Sequence, residues 1–295
     1  MHYKIINTKS IKQAILIGFL FLASCSPIKL GYDYVDWVIL WKLDDFFELT
    51  SEQKEFLNPQ VDQLLNWHKT NELPLYVSLL RQVQEKAQDR LTEAELDWIY
   101  NQTEKLGDRM VKHVAPDFAV FLASLEEEQI ERFSKSFLQM DGQLKLSSDE
   151  SQEKLAEATI KRAEEWLGSL SDDQKEQITQ LRESIPDISA ERLDNREKMM
   201  GTMLVFLRQR ADAKAIEEKL LEQMDFESTS SVEYDQLAAA QRKASNNMIL
   251  AIDQMLTHSQ RTHFLQKLDN LIEDVEDIQE GRVNRFWLSL RRFVF

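Results

Sequence analysis

Glycine and proline, which interrupt helices and form tight turns, are scarce in this chain. Only seven glycines and five prolines occur among its 295 residues, whereas strand-rich folds need these residues at many turns. Glu, Gln, Lys, Leu and Ala are abundant instead, and all of them favour helices. The Asp141-Gly142 pair follows a helical pattern and does not separate two alternating segments. We therefore predict an all-α fold, either an elongated multi-helix bundle or an array of helical hairpins.

Apolar residues recur at helical spacing in the second half of the chain. One such stripe contains Met199, Met203, Leu207, Ile216 and Leu220. Before it, a polar stretch from Asp141 to Ser148 interrupts the periodicity and is the best candidate for a boundary. We therefore predict two possible sub-bundles, residues 32–142 and 148–295.

The first 25 residues have the pattern of a secretory signal. Three lysines and no acidic residue precede Cys25, and ten residues from Ala14 to Ala23 form an apolar run. As a helix this run is only ~15 Å long, about half of the ~30 Å hydrocarbon core of a bilayer. The pattern thus favours a cleaved leader over a transmembrane anchor.

The end of this leader, Leu22-Ala23-Ser24-Cys25, resembles a bacterial lipobox. The resemblance implies diacylglyceryl transfer to the Cys25 sulfur, cleavage after Ser24 and acylation of the new amino terminus. We expect residues 1–24 to be a signal peptide, 25–31 a lipidated tether and 32–295 an all-α periplasmic domain. Several acyl chains on one residue anchor a protein stably, where a single chain does not.

The residue after Cys25 indicates which membrane carries the protein. It is Ser26 and not Asp, and by resemblance to the sorting rule of enteric-type bacteria this points to the outer membrane, with the domain facing the periplasm; the inner membrane is the alternative. The net charge of −15 argues against nucleic acid as a partner. With its only cysteine assigned to the lipid, the chain has no disulfide framework, and we expect no cofactor beyond that lipid.

A short motif, Leu-[Ser/Thr]-x-x-Gln, occurs three times. Its defining residues are Leu49, Thr50 and Gln53; Leu170, Ser171 and Gln174; and Leu256, Thr257 and Gln260. Segments 91–95 and 125–129 differ from it by one residue. Each motif predicts a capping box, in which the hydroxyl accepts from the backbone amide of the Gln and the Gln side chain bonds back to the cap amide.

Two families share parts of this pattern. The Leu-Thr-x-x-Gln segments resemble those at helix starts in periplasmic Spy/CpxP-type chaperones and stress sensors, although such cradles are shorter and basic on their binding face. The run Tyr32-x-Tyr34-x-Asp36-Trp37, with Trp41, Asp44-Asp45-Phe46 and Trp67-His68 after it, resembles an uncharacterised family of Gram-negative predicted lipoproteins. The second resemblance is dense over residues 22–76 and implies an anchored helical envelope protein without a known activity.

Aromatic residues near the predicted anchor suggest an interaction face. Trp37 and Trp41 are four residues apart, with Tyr34 beside them. Such residues favour membrane interfaces, but pairs at this spacing pack more often in a core, and we expect core packing here.

The last fifteen residues differ in composition from the acidic remainder, with four arginines and four aromatic residues. We expect this segment to pack on the bundle, with contact to an anionic surface or capture of the terminal Phe-Val-Phe as alternatives. Its candidate contact residues are Arg285, Trp287, Arg291 and Arg292.

Candidate catalytic and metal-binding groups are few. Asp33, Asp36, Asp44 and Asp45 lie on one short helical stretch without a turn to surround a cation, so a solvated acidic face is the better interpretation. His68 and Glu72 are four residues apart, but Thr70-Asn71 and Pro74 indicate that the helix ends between them. No hydrolase, zinc-protease or phosphate-loop motif is present. We expect no enzyme activity and no metal site.

These features together predict a non-catalytic lipoprotein that is attached to the membrane through its N-terminal lipid. Its expected role is to bind an envelope protein as an accessory or adaptor, or an unfolded client as a stress factor. The alternative is a peptidoglycan- or lipid-handling factor, or an enzyme, with a groove between the sub-bundles.

The lipobox makes a direct prediction about Cys25. Replacement Cys25→Ala removes the acceptor sulfur, so the variant should take up no labelled palmitate when it is expressed in cells. Ser26→Ala is the matched control and should be labelled like the wild type. Labelling of the Cys25→Ala variant would disprove the lipobox assignment.

Overall fold

The computed structural model describes residues 27–148, 152–224 and 231–281, and every regular element in these ranges is a helix. The fold is all-α, as the scarcity of glycine and proline predicts. Several predicted functional residues lie outside the described ranges: Leu22, Ala23, Ser24, Cys25, Arg285, Trp287, Arg291 and Arg292.

The described helices follow one another through short connections. The first are α1 (Pro27–Asp33), α2 (Val35–Phe47), α3 (Ser51–Trp67) and α4 (Leu73–Lys86), with a π-helical turn (His68–Glu72) between α3 and α4. Next come α5 (Glu93–Ala123), α6 (Glu127–Ser148), α7 (Gln152–Leu167) and α8 (Asp172–Glu183). The last are α9 (Ser189–Arg208), α10 (Ala213–Met224), α11 (Val232–Met255) and α12 (His258–Glu280).

Two segments at boundaries predicted from the sequence are helical. Helix α1 begins at Pro27, so most of the predicted tether 25–31 is helical, with proline in the first turn where a missing amide donor costs nothing. Helix α6 continues through Gly142 to Ser148, so the polar stretch from Asp141 to Ser148 is helical and the interruption expected there is wrong. A single glycine inside a helix costs only ~1 kcal/mol relative to alanine, which does not stop a helix that is packed on its neighbours.

Helix α5 runs along much of the molecule. Its 31 residues correspond to a length of ~46 Å, and it contacts α3, α4, α10 and α11. The phenylalanine-rich cluster at its C-terminal end contains residues from both predicted sub-bundles: Phe47, Leu49, Leu57, Ala119, Phe121, Leu122, Leu125, Ile130, Met203, Leu207 and Ile216. The phenylalanine-rich cluster therefore forms only when helices that are far apart in the sequence pack together.

Two smaller clusters lie elsewhere. Leu73 and Val77 of α4 pack against Ile272, Val275 and Ile278 of α12. The other cluster joins α7, α8, α11 and α12 and contains Leu167, Leu170 and Ile178, with Ile160, Ala163, Ile252, Leu256 and Phe264 around them. The described helices are thus held together by three separate apolar clusters.

The two ends of the described chain are neighbours. Lys29 of α1 forms ion pairs with Asp274 and Asp277 of α12, at 3.0 and 2.9 Å. These contacts raise the pKa of Lys29, chiefly through its hydrogen bond to Asp277. Helix α12 ends at Gly281, whose left-handed φ of 68° a side chain would oppose. The chain therefore enters and leaves the described fold at the same end.

Candidate functional site

The three predicted capping motifs form capping boxes at the starts of α3, α8 and α12. Thr50, Ser171 and Thr257 each accept a hydrogen bond of 3.2 Å from the backbone amide of the Gln three residues later. Each Gln side chain accepts in return from the cap amide, at 3.0 to 3.1 Å. These hydrogen bonds satisfy backbone donors that a helix start otherwise leaves without partners.

The glutamine of the first motif also pairs with a glutamine on another helix. The Gln53 amide donates to Gln129 Oε1 at 3.0 Å, and the Gln129 amide donates to Gln53 Oε1 at 2.7 Å. Gln53 additionally donates to the carbonyl of Ser124, and Gln129 donates to the carbonyl of Phe47. Both side chains are more than nine-tenths buried. The starts of α3 and α6 are therefore joined by two buried amide side chains that bond to each other and to nearby backbone groups.

The second and third motifs form an equivalent pair at the apolar cluster that contains Ile178. Gln174 and Gln260 donate to each other's Oε1 atoms, both at 2.9 Å. Gln174 also donates to the carbonyl of Met255, and Gln260 donates to the carbonyl of Ser169. The repeated motif thus joins helix starts in pairs: α3 with α6, and α8 with α12.

Sequence reasoning placed the glutamines in their caps but missed this pairing. Gln129 follows Leu125-Glu126, which lacks the cap hydroxyl, yet Gln129 Oε1 still accepts from the Glu126 amide at 3.0 Å. The available signal was the recurrence of Gln at the third helical position in four segments. Which two of these glutamines meet depends on the path of the chain between them.

The predicted interaction face is exposed, so the expectation of core packing is wrong for Trp37 and Trp41. Their exposed fractions are 58% and 48%, and that of Tyr34 is 45%. The two indole rings stack in parallel, with centroids 5.9 Å apart and planes inclined by 8°. Helix α2 packs through its other side, where Phe47 and Leu43 reach the phenylalanine-rich cluster. The aromatic pair faces outward because it lies on the opposite side of the same helix.

The chain remains helical between His68 and Glu72, contrary to the expectation of a helix end. The Leu73 amide bonds to the His68 carbonyl, an i→i+5 bond that closes a π turn. This wider turn precedes Pro74, which lies in the first turn of α4 and has no amide to donate. The π turn therefore lets the chain stay helical up to Pro74, a residue that would otherwise end the helix.

The π turn holds a fully buried carboxylate. Glu72 has no exposed surface, and its Oε1 accepts from Nε and Nη2 of Arg109 on α5, at 3.1 and 2.8 Å. Nearby, the Trp67 ring stacks on His113 of α5 with centroids 3.6 Å apart. A buried charge is tolerated only when it is paired and hydrogen-bonded. This cluster, which sequence reasoning did not assemble, attaches the α3–α4 segment to the middle of α5.

His68, at the start of the same turn, contacts two tyrosines. The Tyr32 hydroxyl is 3.0 Å from His68 Nδ1, and the Tyr76 ring meets the imidazole edge to face, with centroids 5.5 Å apart. Burial lowers the pKa of His68, and the nearby Glu72 carboxylate partly opposes that shift. Burial also raises the pKa of Tyr32 and of Tyr76. Burial therefore favours the neutral form of His68, and its contact with Tyr32 links α1 to the π turn.

A small apolar pocket, here called the methionine pocket, lies between α5, α6, α9 and α10. Its volume is about 220 Å³. The lining residues are Phe118, Leu122, Phe133, Phe137, Arg196, Met199, Met200, Met203, Leu220 and Gln223. The Arg196 guanidinium stacks over the Phe137 ring at 4.7 Å, and Gln223 donates to the Met199 carbonyl at 2.7 Å. The predicted stripe that begins at Met199 thus includes a wall of this pocket.

Among the described residues, no group of three or more His, Cys, Asp and Glu side chains is arranged to hold a metal ion. Of the acidic residues considered as ligands, Asp44 instead binds Lys54 at 3.1 Å and the Leu49 amide at 3.0 Å. The hydrogen bond from Lys54 is the chief cause that lowers the pKa of Asp44. This carboxylate stabilises the loop between α2 and α3.

None of the helices in the described ranges is sufficiently long and apolar to cross a membrane.

Removal of one glutamine from a pair should destabilise the fold. Gln129→Ala removes the hydrogen bonds between Gln129 and Gln53 and takes the Gln129 donor away from the buried Phe47 carbonyl, which costs about 1–3 kcal/mol of unfolding free energy. The matched control Gln139→Ala, at an exposed position of the same helix, should change it by less than about 0.5 kcal/mol. Urea denaturation followed by circular dichroism measures both. Equal effects of the two substitutions would contradict a stabilising role for the pair.

Burial of His68 should make stability depend on pH. Because its pKa is lower in the folded chain, the unfolded chain binds a proton first as the pH falls. The free energy of unfolding should therefore decrease from about pH 7 to about pH 5.5, where carboxylates still remain ionised. His68→Gln should remove part of this slope in denaturant titrations at each pH. An unchanged slope in the variant would contradict the assignment.

Comparison with known proteins identifies a family but no activity. The model of a family of unknown function, DUF6279, matches residues 45–235. This match extends well beyond residue 76, where the resemblance seen in the sequence became weak. No curated protein and no solved structure matches the chain. Because the family model covers more than half of its length, the chain belongs to the DUF6279 family of unknown function.

Proposed function

We propose that this protein is a lipid-anchored protein of the bacterial envelope that binds protein partners and performs no catalysis. The lipobox at Leu22-Ala23-Ser24-Cys25 supports the anchor. Ser26 after the cysteine supports the outer membrane as its location, with the helical domain in the periplasm. Covalent lipid on Cys25 is then the only non-protein group that the protein carries.

The methionine pocket is the observation that carries the binding proposal. Its volume of about 220 Å³ is below the ~300–1,000 Å³ of pockets for drug-sized ligands. It exceeds the ~150 Å³ of a cavity that accommodates benzene. This size suits one large apolar side chain from a partner. Three methionines in the wall, Met199, Met200 and Met203, are flexible enough to adapt to side chains of different shape.

The charged groups of the described fold support a role without catalysis. Glu72 is paired with Arg109, and Asp253 is paired with Arg261 at 2.9 Å. Asp253 also accepts from the Leu91 amide at 2.8 Å, which holds the start of α5 against α11. These buried or partly buried acids have structural partners on neighbouring helices, as expected for groups that stabilise the packing.

A second function, binding of a lipid acyl chain, is favoured by one feature of the same pocket. Arg196 lies in its wall and presents a cation beside a mostly apolar surface, an arrangement that suits an acyl chain with an anionic head. The pocket also lies between α6 and the α9–α10 pair, which come from the two predicted sub-bundles. This is the position that the lipid-handling alternative requires.

Photo-crosslinking in intact cells tests both functions. A benzophenone side chain replaces Met200 in the pocket or, as the matched control, Val205, an exposed apolar residue of the same helix outside the pocket. We expect protein adducts from position 200 that are absent from position 205. One discrete adduct indicates an adaptor, and a broad series of adducts indicates a client-binding chaperone.

The mass of the adduct separates the remaining outcomes. An increase equal to the mass of a lipid at position 200 would support the lipid-binding alternative. Identical adducts from positions 200 and 205, or none from either, would contradict the proposed role of the pocket. Unchanged helical circular dichroism in both variants verifies that they are folded.

A further inference from the structure

The surface formed by α1 and the first part of α2 is rich in exposed apolar side chains. The exposed fractions of Tyr34, Trp37, Val38 and Trp41 are 40% to 58%, and Ile28 of α1 is 47% exposed. Tyr34, which directly precedes α2, and the three residues from α2 follow the spacing i, i+3, i+4 and i+7, which places them on one side of the helix. We call this surface the aromatic face. Its two tryptophans stack on each other and leave much of both rings in contact with solvent.

The aromatic face is close to the predicted lipid. Cys25 precedes Pro27, the first residue of α1, by two residues, so they are at most ~7 Å apart along the chain. The seven residues of α1 add only ~10 Å before α2 begins. A lipid on Cys25 therefore keeps this face near the membrane surface.

Contacts with the rest of the fold hold α1 in place. Lys29 is paired with Asp274 and Asp277 of α12, and Tyr32 bonds to His68 of the π turn. A rigid attachment means that the orientation of the aromatic face determines the orientation of the whole body. Gly281, which follows α12 and precedes the arginine-rich segment 282–295 in the sequence, lies at this same end.

The charges on α2 are compatible with a shallow contact. Asp44 follows Trp41 by about one turn on the same side of the helix, where Lys54 and the Leu49 amide engage its carboxylate. Lys42 lies beside the face, with its Nζ 4.7 Å from the centre of the Trp41 ring. Asp45 is exposed one turn after Trp41 and limits the apolar surface at that end. The N-terminal part of α2 is thus the part suited to the membrane interface.

We propose that the aromatic face rests in the headgroup region of the membrane that holds the lipid anchor, and so fixes the orientation of the helical body. Tryptophan and tyrosine are enriched at this depth because their rings are apolar and their polar groups remain hydrated. The contact between the aromatic face and the membrane is weak alone. The lipid anchor makes it effective because it raises the local concentration of the face at the membrane surface. The inference rests on the proposed lipidation of Cys25.

Fluorescence quenching on vesicles tests the proposal. The full-length lipidated protein with Trp287→Phe is reconstituted into phosphatidylcholine vesicles with or without brominated acyl chains, which quench only tryptophans at membrane depth. We expect quenching that is mostly lost when Trp37→Phe and Trp41→Phe are added. Trp166→Phe, which removes a partly exposed tryptophan of α7, is the matched control and should leave the quenching intact.

Two separate readouts distinguish the possible failures. The intact mass and flotation with vesicles report the anchor, and a chain without acyl groups overturns both the proposed function and this inference. A chain that floats but shows no quenching, or the same quenching after removal of both tryptophans, overturns the inference alone. A third outcome concerns the soluble chain that starts at Ser26. If this chain sediments as a dimer and its Trp37 and Trp41 are shielded from quenching by aqueous acrylamide, the aromatic face instead binds a second copy of the chain.

Discussion

The reciprocal hydrogen bonds between paired glutamines are the interaction on which the arrangement of helices most depends. Each pair satisfies cap amides at two helix starts and brings those starts together. Because the four side chains are largely buried, each amide that lost its partner would carry a desolvation cost. The pairs therefore define the relative position of α3 and α6, and of α8 and α12, more specifically than apolar contact alone.

The apolar clusters lie next to these pairs. Leu49 and Leu125, which lie just before the starts of α3 and α6, belong to the phenylalanine-rich cluster. Leu170 and Leu256 occupy the equivalent positions in the cluster around Ile178. Each motif thus supplies one apolar residue to a core and one amide to a pair. The same five residues begin a helix and determine which other helix it meets.

A second kind of constraint joins the N-terminal helices to α5. The π turn buries Glu72 against Arg109 and places Trp67 on His113, while His68 in the same turn bonds to Tyr32 of α1. Helix α1 is in turn paired with α12 through Lys29. The segment nearest the proposed lipid is therefore continuous with the body. In our proposal these contacts fix the orientation of the helical body once the lipid is in the membrane. The aromatic face then lies at the membrane, and the methionine pocket is available to partners.

The sequence alone determined the all-α class, the capping boxes at Thr50, Ser171 and Thr257, and the apolar stripe that includes Met199 and Met203. These features depend on residues within a few positions of each other, where helical geometry relates sequence spacing directly to structure. The tertiary structure decided which glutamines pair, that Trp37 and Trp41 face outward, and that the helix continues from His68 to Glu72. In each case the deciding partner lies far along the chain: Gln129 for Gln53, the phenylalanine-rich cluster for the buried side of α2, and Arg109 for Glu72. Spacing within one helix carries no information about such partners, because they meet only when the whole chain has folded.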